Sequence, residues 1–167
     1  LELPDVGRVV VDGTDTRGRK GRRALHGHVG YVMQHPERQL FAETVAEDVA
    51  FGPKNLHLPK DEVTRRCRRA LKLVGLLGLE EASPFELSGG QQRMCAIAGI
   101  LAMQPNILIL DEPTAGLDSA NATAVLTLLR DAADRGTAVL VVSHEAEAQR
   151  FADRSYVMED GHLRASE

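Results

Sequence analysis

An α/β fold built on a parallel sheet is what the second half of this chain predicts. Ile107–Leu110 and Ala138–Val142 are short continuous apolar runs, the pattern of strands buried on both faces. Between them, Ser119 to Asp134 places Ala122, Val125, Leu126, Leu129 and Ala133 on one helical side. Strand and helix alternate in this way from Leu87 onward, the order of a sheet with helical crossovers.

The elements follow in order. Val9-Val10-Val11 runs into Asp12-Gly13 as a strand entering a turn, and a polar stretch follows from Thr14 to Arg23. Val29 to Met33 reads as a strand with Gln34 just past its end. A short helix is predicted over Thr44 to Phe51: Thr44 caps it, Glu47 and Asp48 suit the positive end of its dipole, and Gly52-Pro53 stops it. Lys60 to Val74 has Val63, Cys67, Ala70, Leu71 and Val74 on one helical face. A helix over Gly89 to Met103, capped by Ser88, turns Met94, Ile97, Ala98 and Leu101 inward. Glu145 to Ala152 makes a short helix, and Ser155 to Met158 with Asp160-Gly161 begins a terminal hairpin.

The 167 residues, 43% hydrophobic and 26% charged, suit one soluble globular domain with a sizeable core. A net charge of −4 argues against a dedicated nucleic-acid binder. The clusters Arg17–Arg23 and Arg65, Arg66, Arg68, Arg69 read as a solvated loop and a solvated helix face. Cys67 and Cys95 stand apart, with no C-x-x-C and no histidine at metal-ligand spacing, which suits a reduced cytosolic setting. The apolar runs are too short to span a bilayer and no signal-peptide pattern opens the chain, so a membrane role is expected to come through a partner. His26-Gly27-His28 suggests no mechanism.

The chemistry concentrates at strand ends. The Ile107–Leu110 strand presents Asp111 and Glu112 at its carboxyl end, where open α/β sheets bind ligands. Asp111 suits Mg²⁺, a cation that takes oxygen ligands and keeps several waters. Glu112 is then placed to polarise an attacking water beside a phosphate. Taken alone, the pair also reads as a strand that happens to end in two acids. Ser88-Gly89-Gly90-Gln91 opens a helix with two glycines, which let backbone N–H groups approach an anion, and a hydroxyl donor. Alone, it reads equally as a serine N-cap with a flexible entry. His144 follows the Ala138–Val142 strand, where a neutral imidazole can hydrogen-bond a phosphate, although a lone histidine there is usually a loop residue. Gln34 holds the same place after its own strand and offers an uncharged amide to Mg²⁺ or water.

In combination these segments resemble the nucleotide-binding subunit of an ATP-binding cassette transporter, from about Leu3 to Leu163. Gln34 resembles its Q-loop, Leu87–Gln91 its signature, and Ile107–Glu112 its Walker B strand. Thr114–Asp118 resembles the D-loop and His144 the switch histidine. Gln34–Phe41, Thr44-Val45, Asp48–Pro53 and Ile97–Ala102 are similar to the ATPases of energy-coupling factor importers, which take up vitamins or cobalt and nickel ions. The resemblance implies a P-loop NTPase-like parallel sheet with a helical signature subdomain at about residues 35–103 of a single 1–167 domain. It implies ATP and Mg²⁺ as ligands, a second ATPase subunit and a transmembrane coupling subunit as partners, no nucleic acid, and a place on the cytoplasmic face of the membrane. It assigns Glu112 as catalytic base, His144 as stabiliser of transition-state charge, and Asp111 and Gln34 to Mg²⁺, with Gln34 also at the catalytic centre and its following segment touching the transmembrane subunit. Ser88, Gly89, Gly90 and Gln91 would clamp the γ-phosphate of the partner's ATP, and Asp118 would couple the two sites.

One part of that pattern is missing. No G-x-x-x-x-G-K-[ST] loop occurs in the chain, and Gly13–Gly18 has the glycine spacing but continues as Arg19-Lys20, without the hydroxyl for Mg²⁺. Leu3-Pro4 and Gly7–Gly13 resemble the segment that follows the phosphate loop, so the resemblance places that loop, with the adenine-stacking aromatic, upstream of Leu1. The expectation is an N-terminally truncated ATPase, incomplete at its N-terminus and inactive alone. Its sheet would lack an inner strand, leaving unpaired backbone groups and exposed apolar faces, and the isolated chain would be poorly stable, oligomeric or rearranged. The alternative is a non-hydrolytic subunit that donates a signature half-site to an intact partner ATPase.

Overall fold

In the computed structural model, which describes residues 4–166, the Val9–Val11 run forms a small hairpin of β1 (Val10–Val11) and β2 (Thr14–Asp15). Leu3 lies outside the described residues. The polar stretch expected to be a solvated loop contains a short helix, α1 (Arg19–Ala24). Local polar contacts hold it: Arg22 donates to the carbonyls of Thr16 and Arg17, and Arg17 pairs with Asp15 at 2.7 Å. None of its side chains is buried, so the face is solvated as expected.

Next come β3 (Val29–Val32), a 3-10 turn (Pro36–Gln39), α2 (Val45–Asn55) and α3 (Lys60–Leu73). The helix α2 starts where expected, with the Thr44 hydroxyl accepting from Glu47 N–H, but it runs through Gly52-Pro53 instead of stopping there. A proline disfavours helix in the preceding residue by crowding its N–H and its Cβ, and Gly52 lacks the Cβ. The same bare Cα lets α2 approach the end of the Gly89–Ala102 helix, since a Cβ at Gly52 would lie 2.7 Å from Met103 Cγ. After a second 3-10 turn (Pro84–Glu86) follow α4 (Gly89–Ala102), β4 (Ile107–Asp111), α5 (Ser119–Asp134), β5 (Ala138–Val142), α6 (Ala146–Gln149) and the hairpin β6 (Tyr156–Glu159)–β7 (His162–Ala165).

The strands β3, β4 and β5 form one parallel sheet in that order. Its register pairs Val32 with Leu110 and Asp111 with Val142, so all three strands end on one edge. One face carries Val32, Leu108 and Leu110, which share a core with Val45, Val49, Leu71, Cys95, Ile97, Val125 and Leu129 of the helices. Burying each such side chain stabilises the fold by about 1.5–3 kcal/mol.

The other face corrects the expectation that β4 and β5 are buried on both sides. Ile107 and Ile109 are half-buried, while Tyr31 (49% exposed), Leu140 (55%) and Val142 (53%) face outward. An apolar run reads the same in sequence whether one face is covered or two; here the core gathers on the Leu108 and Leu110 side. The helix α4 departs differently: Ile97 and Ala98 are buried as expected, Met94 and Leu101 are half-buried, and Arg93 and Cys95 are buried instead.

Gly30 sets the distance between sheet and α4. A Cβ there would lie 2.6 Å from Ile100 Cγ2 and 3.1 Å from Leu108 Cδ1. Gly30→Ala is expected to cost about 1–3 kcal/mol by overpacking, read as a lower denaturant midpoint with an unchanged slope.

Candidate functional site

Because the strands end in register, the residues just beyond them are neighbours at the carboxyl edge of the sheet. Gln34 follows β3, Glu112 follows β4, and Ser143-His144 follow β5. Asp111 is the last residue of β4 and is half-buried. Gln34 is exposed. Sequence reasoning placed these residues at strand ends, and the sheet gathers those ends on one edge.

Glu112 is the most constrained of them. Its φ is +48°, in the left-handed region that costs an L-residue roughly 1–2 kcal/mol. The turn is tied to β5 by the Glu112 N–H, which donates to Val142 O at 2.8 Å. The carboxylate accepts from the His144 backbone N–H (3.1 Å), from the Ser143 hydroxyl (3.3 Å), and lies 2.7 Å from His144 Nδ1. With Nδ1 carrying its proton toward Glu112, Nε2 is left on the outer side of an imidazole that is 76% exposed.

This pair shifts both titrations. The His144 hydrogen bond holds the Glu112 carboxyl below its ordinary value despite partial burial, and Glu112 in turn holds His144 above its own. A depressed carboxylate contributes stability above its ordinary value near 4.5 and loses it as pH falls through the lowered value. A raised histidine contributes below its ordinary 6.5 and loses it as pH rises through the raised value. The pair is therefore at full strength between those two ordinary values. An NMR titration of the His144 imidazole is expected to show a midpoint above 6.5 that falls back in Glu112→Gln. An unshifted midpoint in the parent protein would count against the contact.

The Ser88–Gln91 segment forms a second group. Ser88 and Gln91 make a reciprocal capping box: Gln91 N–H donates to Ser88 Oγ at 3.3 Å, and Ser88 N–H donates to Gln91 Oε1 at 3.0 Å. The N-cap reading of Ser88 is thus realised, and it leaves the hydroxyl proton and the N–H groups of Gly89 and Gly90 available to an anion. The Gln91 side chain turns back onto Ser88. Gly90 packs on Asn121, where a Cβ would lie 3.2 Å from the amide. Asp118 caps α5, accepting from Asn121 N–H (2.8 Å) and Asn121 Nδ2 (2.7 Å), and these bonds hold its carboxyl below the usual range. The structure thus joins Ser88–Gln91 to Asp118 through Asn121, while Glu112 and His144 form a separate cluster.

Several contacts of the site were not foreseen. Thr114, 1% exposed, donates to Glu145 Oε2 at 2.6 Å, and Glu145 N–H donates to Ser143 Oγ, the hydroxyl that reaches Glu112. Arg93, 5% exposed, donates to the carbonyls of Pro113 and Ala115 and to Glu37. The signal for Arg93 was a cation one turn before Ile97 on a buried helix face. Among the described residues no three His, Cys, Asp or Glu side chains group to hold a metal by themselves. Asp111 at the sheet edge fits Mg²⁺ as one carboxylate ligand among phosphate and water oxygens.

Comparison with known proteins identifies the arrangement. Residues 1–115 match the ABC transporter family. The chain is 50% identical over 166 residues to the energy-coupling factor transporter ATP-binding protein EcfA2 of Symbiobacterium thermophilum, covering 98% of the chain and 58% of that relative. It is 46% identical over 162 residues to the protein EcfA of Methanocaldococcus jannaschii, covering 96% of the chain and again 58% of the relative. Among solved structures, cbiO1 from Clostridium perfringens, part of the ABC transporter complex cbiONQ, superposes with a TM-score of 0.87 at 37% identity, covering 96% of this chain and 65% of that one. A dimeric ATP-binding cassette, MJ0796 bound to ADP and Pi, superposes at 0.83 with 28% identity, covering 98% and 75%. The chain spans 58% of the length of those two sequence relatives. With a matching family over most of its length, the signature and strand-end residues in order, and the cassette fold, this chain belongs to the ABC transporter ATPase family.

Proposed function

We propose that this chain is the ATP-binding and ATP-hydrolysing part of an energy-coupling factor type importer that takes up a vitamin or a metal ion. The observation that carries the reading is the Glu112 carboxylate held 2.7 Å from His144 Nδ1 at the shared carboxyl edge of β4 and β5, directly after Asp111. Glu112 takes a proton from the attacking water. His144 presents its outer Nε2 to the γ-phosphate, and Asp111, with the Gln34 amide, would hold Mg²⁺. The ion, when bound, neutralises phosphate charge. Ser88, Gly89, Gly90 and Gln91 face the ATP of a second ATPase subunit, and Asp118 links the two sites through Asn121.

Residues 35–103 act as the helical signature subdomain, a reading supported by the mutual packing of α2, α3 and α4. Among the described residues no helix is long and apolar enough to cross a membrane. The protein works on the cytoplasmic face of the membrane against a transmembrane subunit, which selects the cargo.

The test is reconstitution in liposomes with a second ATPase subunit and the transmembrane subunit, the chain carrying on its own polypeptide the phosphate loop that the resemblance places upstream of Leu1. Mg²⁺-dependent ATP hydrolysis coupled to uptake from a panel of vitamins, cobalt and nickel is the expected result. Absence of hydrolysis in the assembled complex, or hydrolysis indifferent to Mg²⁺ removal, overturns the reading.

A further inference from the structure

A buried guanidinium is costly unless its donors are used, and Arg93 uses them on two loops at once. It projects from the second turn of α4, with its side chain 6% exposed. Nη1 donates to Ala115 O at 2.7 Å and to Pro113 O at 3.2 Å, and Nε donates to Glu37 Oε2 at 3.4 Å. Pro113 directly follows Glu112, whose φ of +48° persists only where the surroundings over-determine it. The rest of that turn closes through Ala115 N–H to Glu112 O (3.2 Å) and Leu117 N–H to Thr114 O (3.1 Å). Glu37 lies on the 3-10 turn that follows Gln34.

We infer that Arg93 is a positioning residue: by gripping the Pro113 and Ala115 carbonyls it holds Glu112 in the conformation that aims its carboxylate at His144, and through Glu37 it ties that turn to the segment after Gln34. A methionine of similar length would fill the same space, so packing alone does not require an arginine there. The two carbonyls belong to one turn, which lets a single side chain fix its shape. The kinetic part of this inference rests on the ATPase reading; the structural part does not.

Arg93→Met keeps length and removes every donor. Hydrogen exchange at the Ala115 and Leu117 amides is expected to quicken by about tenfold or more, while Val125 and Leu129 in α5 stay as protected as before. In the assembled transporter, kcat falls with KM for ATP nearly unchanged. Arg93→Lys, which keeps the charge and can still donate to the carbonyls, restores part of the protection and part of kcat. It also serves as the foldable variant if the methionine protein does not accumulate. Glu37→Gln gives a smaller change, and none further when added to Arg93→Met.

Unchanged exchange at Ala115 and Leu117 overturns the inference, and so does exchange that quickens equally in α5, which would make Arg93 a general packing residue. A change in KM alone overturns it too. Glu112→Gln run in parallel separates the two claims. If the parent and Glu112→Gln hydrolyse ATP equally, the ATPase reading fails, while the exchange result still decides the role of Arg93.

Discussion

Glu112→Gln is expected to lower kcat for ATP hydrolysis by about 10²–10⁴-fold while leaving KM for ATP close to the parent value. The substitution removes the proton acceptor and little else. The backbone bond from Glu112 N–H to Val142 O is untouched. A glutamine oxygen in the place of Oε1 still accepts from the His144 N–H and Nδ1–H, and its NH₂ group can donate to the Ser143 hydroxyl oxygen. The turn therefore keeps its shape and ATP is bound by the same groups. Glu112→Asp retains the charge but retreats from His144 by one methylene, so it is expected to fall between the two. Steady-state hydrolysis in the reconstituted complex is the measurement; a Gln variant with parent-like kcat would remove Glu112 from the role of base.

How far the site could be read in the sequence depends on the range of the interactions that build it. The helix α5 was legible to its end residues, because its apolar spacing is local. Ser88 was legible as a cap for the same reason. Asp111, Glu112 and His144 were legible as strand-end residues, since apolar runs mark the strands and ligands collect at their carboxyl ends. The 2.7 Å contact between Glu112 and His144 spans 32 positions and depends on the register of β4 with β5, which no local pattern encodes. Arg93 was hidden for a related reason: its partners lie 20, 22 and 56 positions away, so in sequence it looks like any polar residue of a helix. The continuation of α2 through Pro53 was misread because proline was weighed without the glycine before it. The apolar runs of β4 and β5 alone suggested two covered faces, because hydrophobicity reports what a face tolerates and not what covers it; the exposed apolar face follows instead the expectation drawn from the missing inner strand.

These contacts also explain why the site divides into two groups. The turn from Glu112 to Asp118 lies between them. On one side Ser143, His144 and, through Thr114, Glu145 hold its start and its interior. On the other, Asp118 and Asn121 join its end to Gly90 at the start of α4. Gly90 thus packs directly on the Asn121–Asp118 group and makes no contact of its own with the Glu112–His144 pair.

Gly90→Asp is accordingly expected to abolish ATP-dependent pairing with a second subunit that carries a phosphate loop, weakening it by about 100-fold or more. Gly90 is the second residue of α4, and the N–H groups of Gly89 and Gly90 have no intrahelical acceptor, whereas that of Gln91 is taken by Ser88. In the proposed function they face the γ-phosphate of the partner's ATP. An aspartate there sets a like charge against the phosphate, and its Cβ would lie 3.2 Å from the Asn121 side-chain amide, whose Nδ2 already donates to Asp118. Gly90→Ala brings only the steric part, against a side chain that can yield, so its loss is expected to stay below about tenfold. Light scattering in saturating ATP, with Glu112→Gln present to stop turnover, measures both. The aspartate variant carries its own control, because an acidic residue in the first turn favours the helix dipole and so leaves α4 at least as stable. Lost pairing with intact helicity then reports the phosphate surface itself. Pairing at the parent level would mean that the start of α4 does not meet the partner's nucleotide.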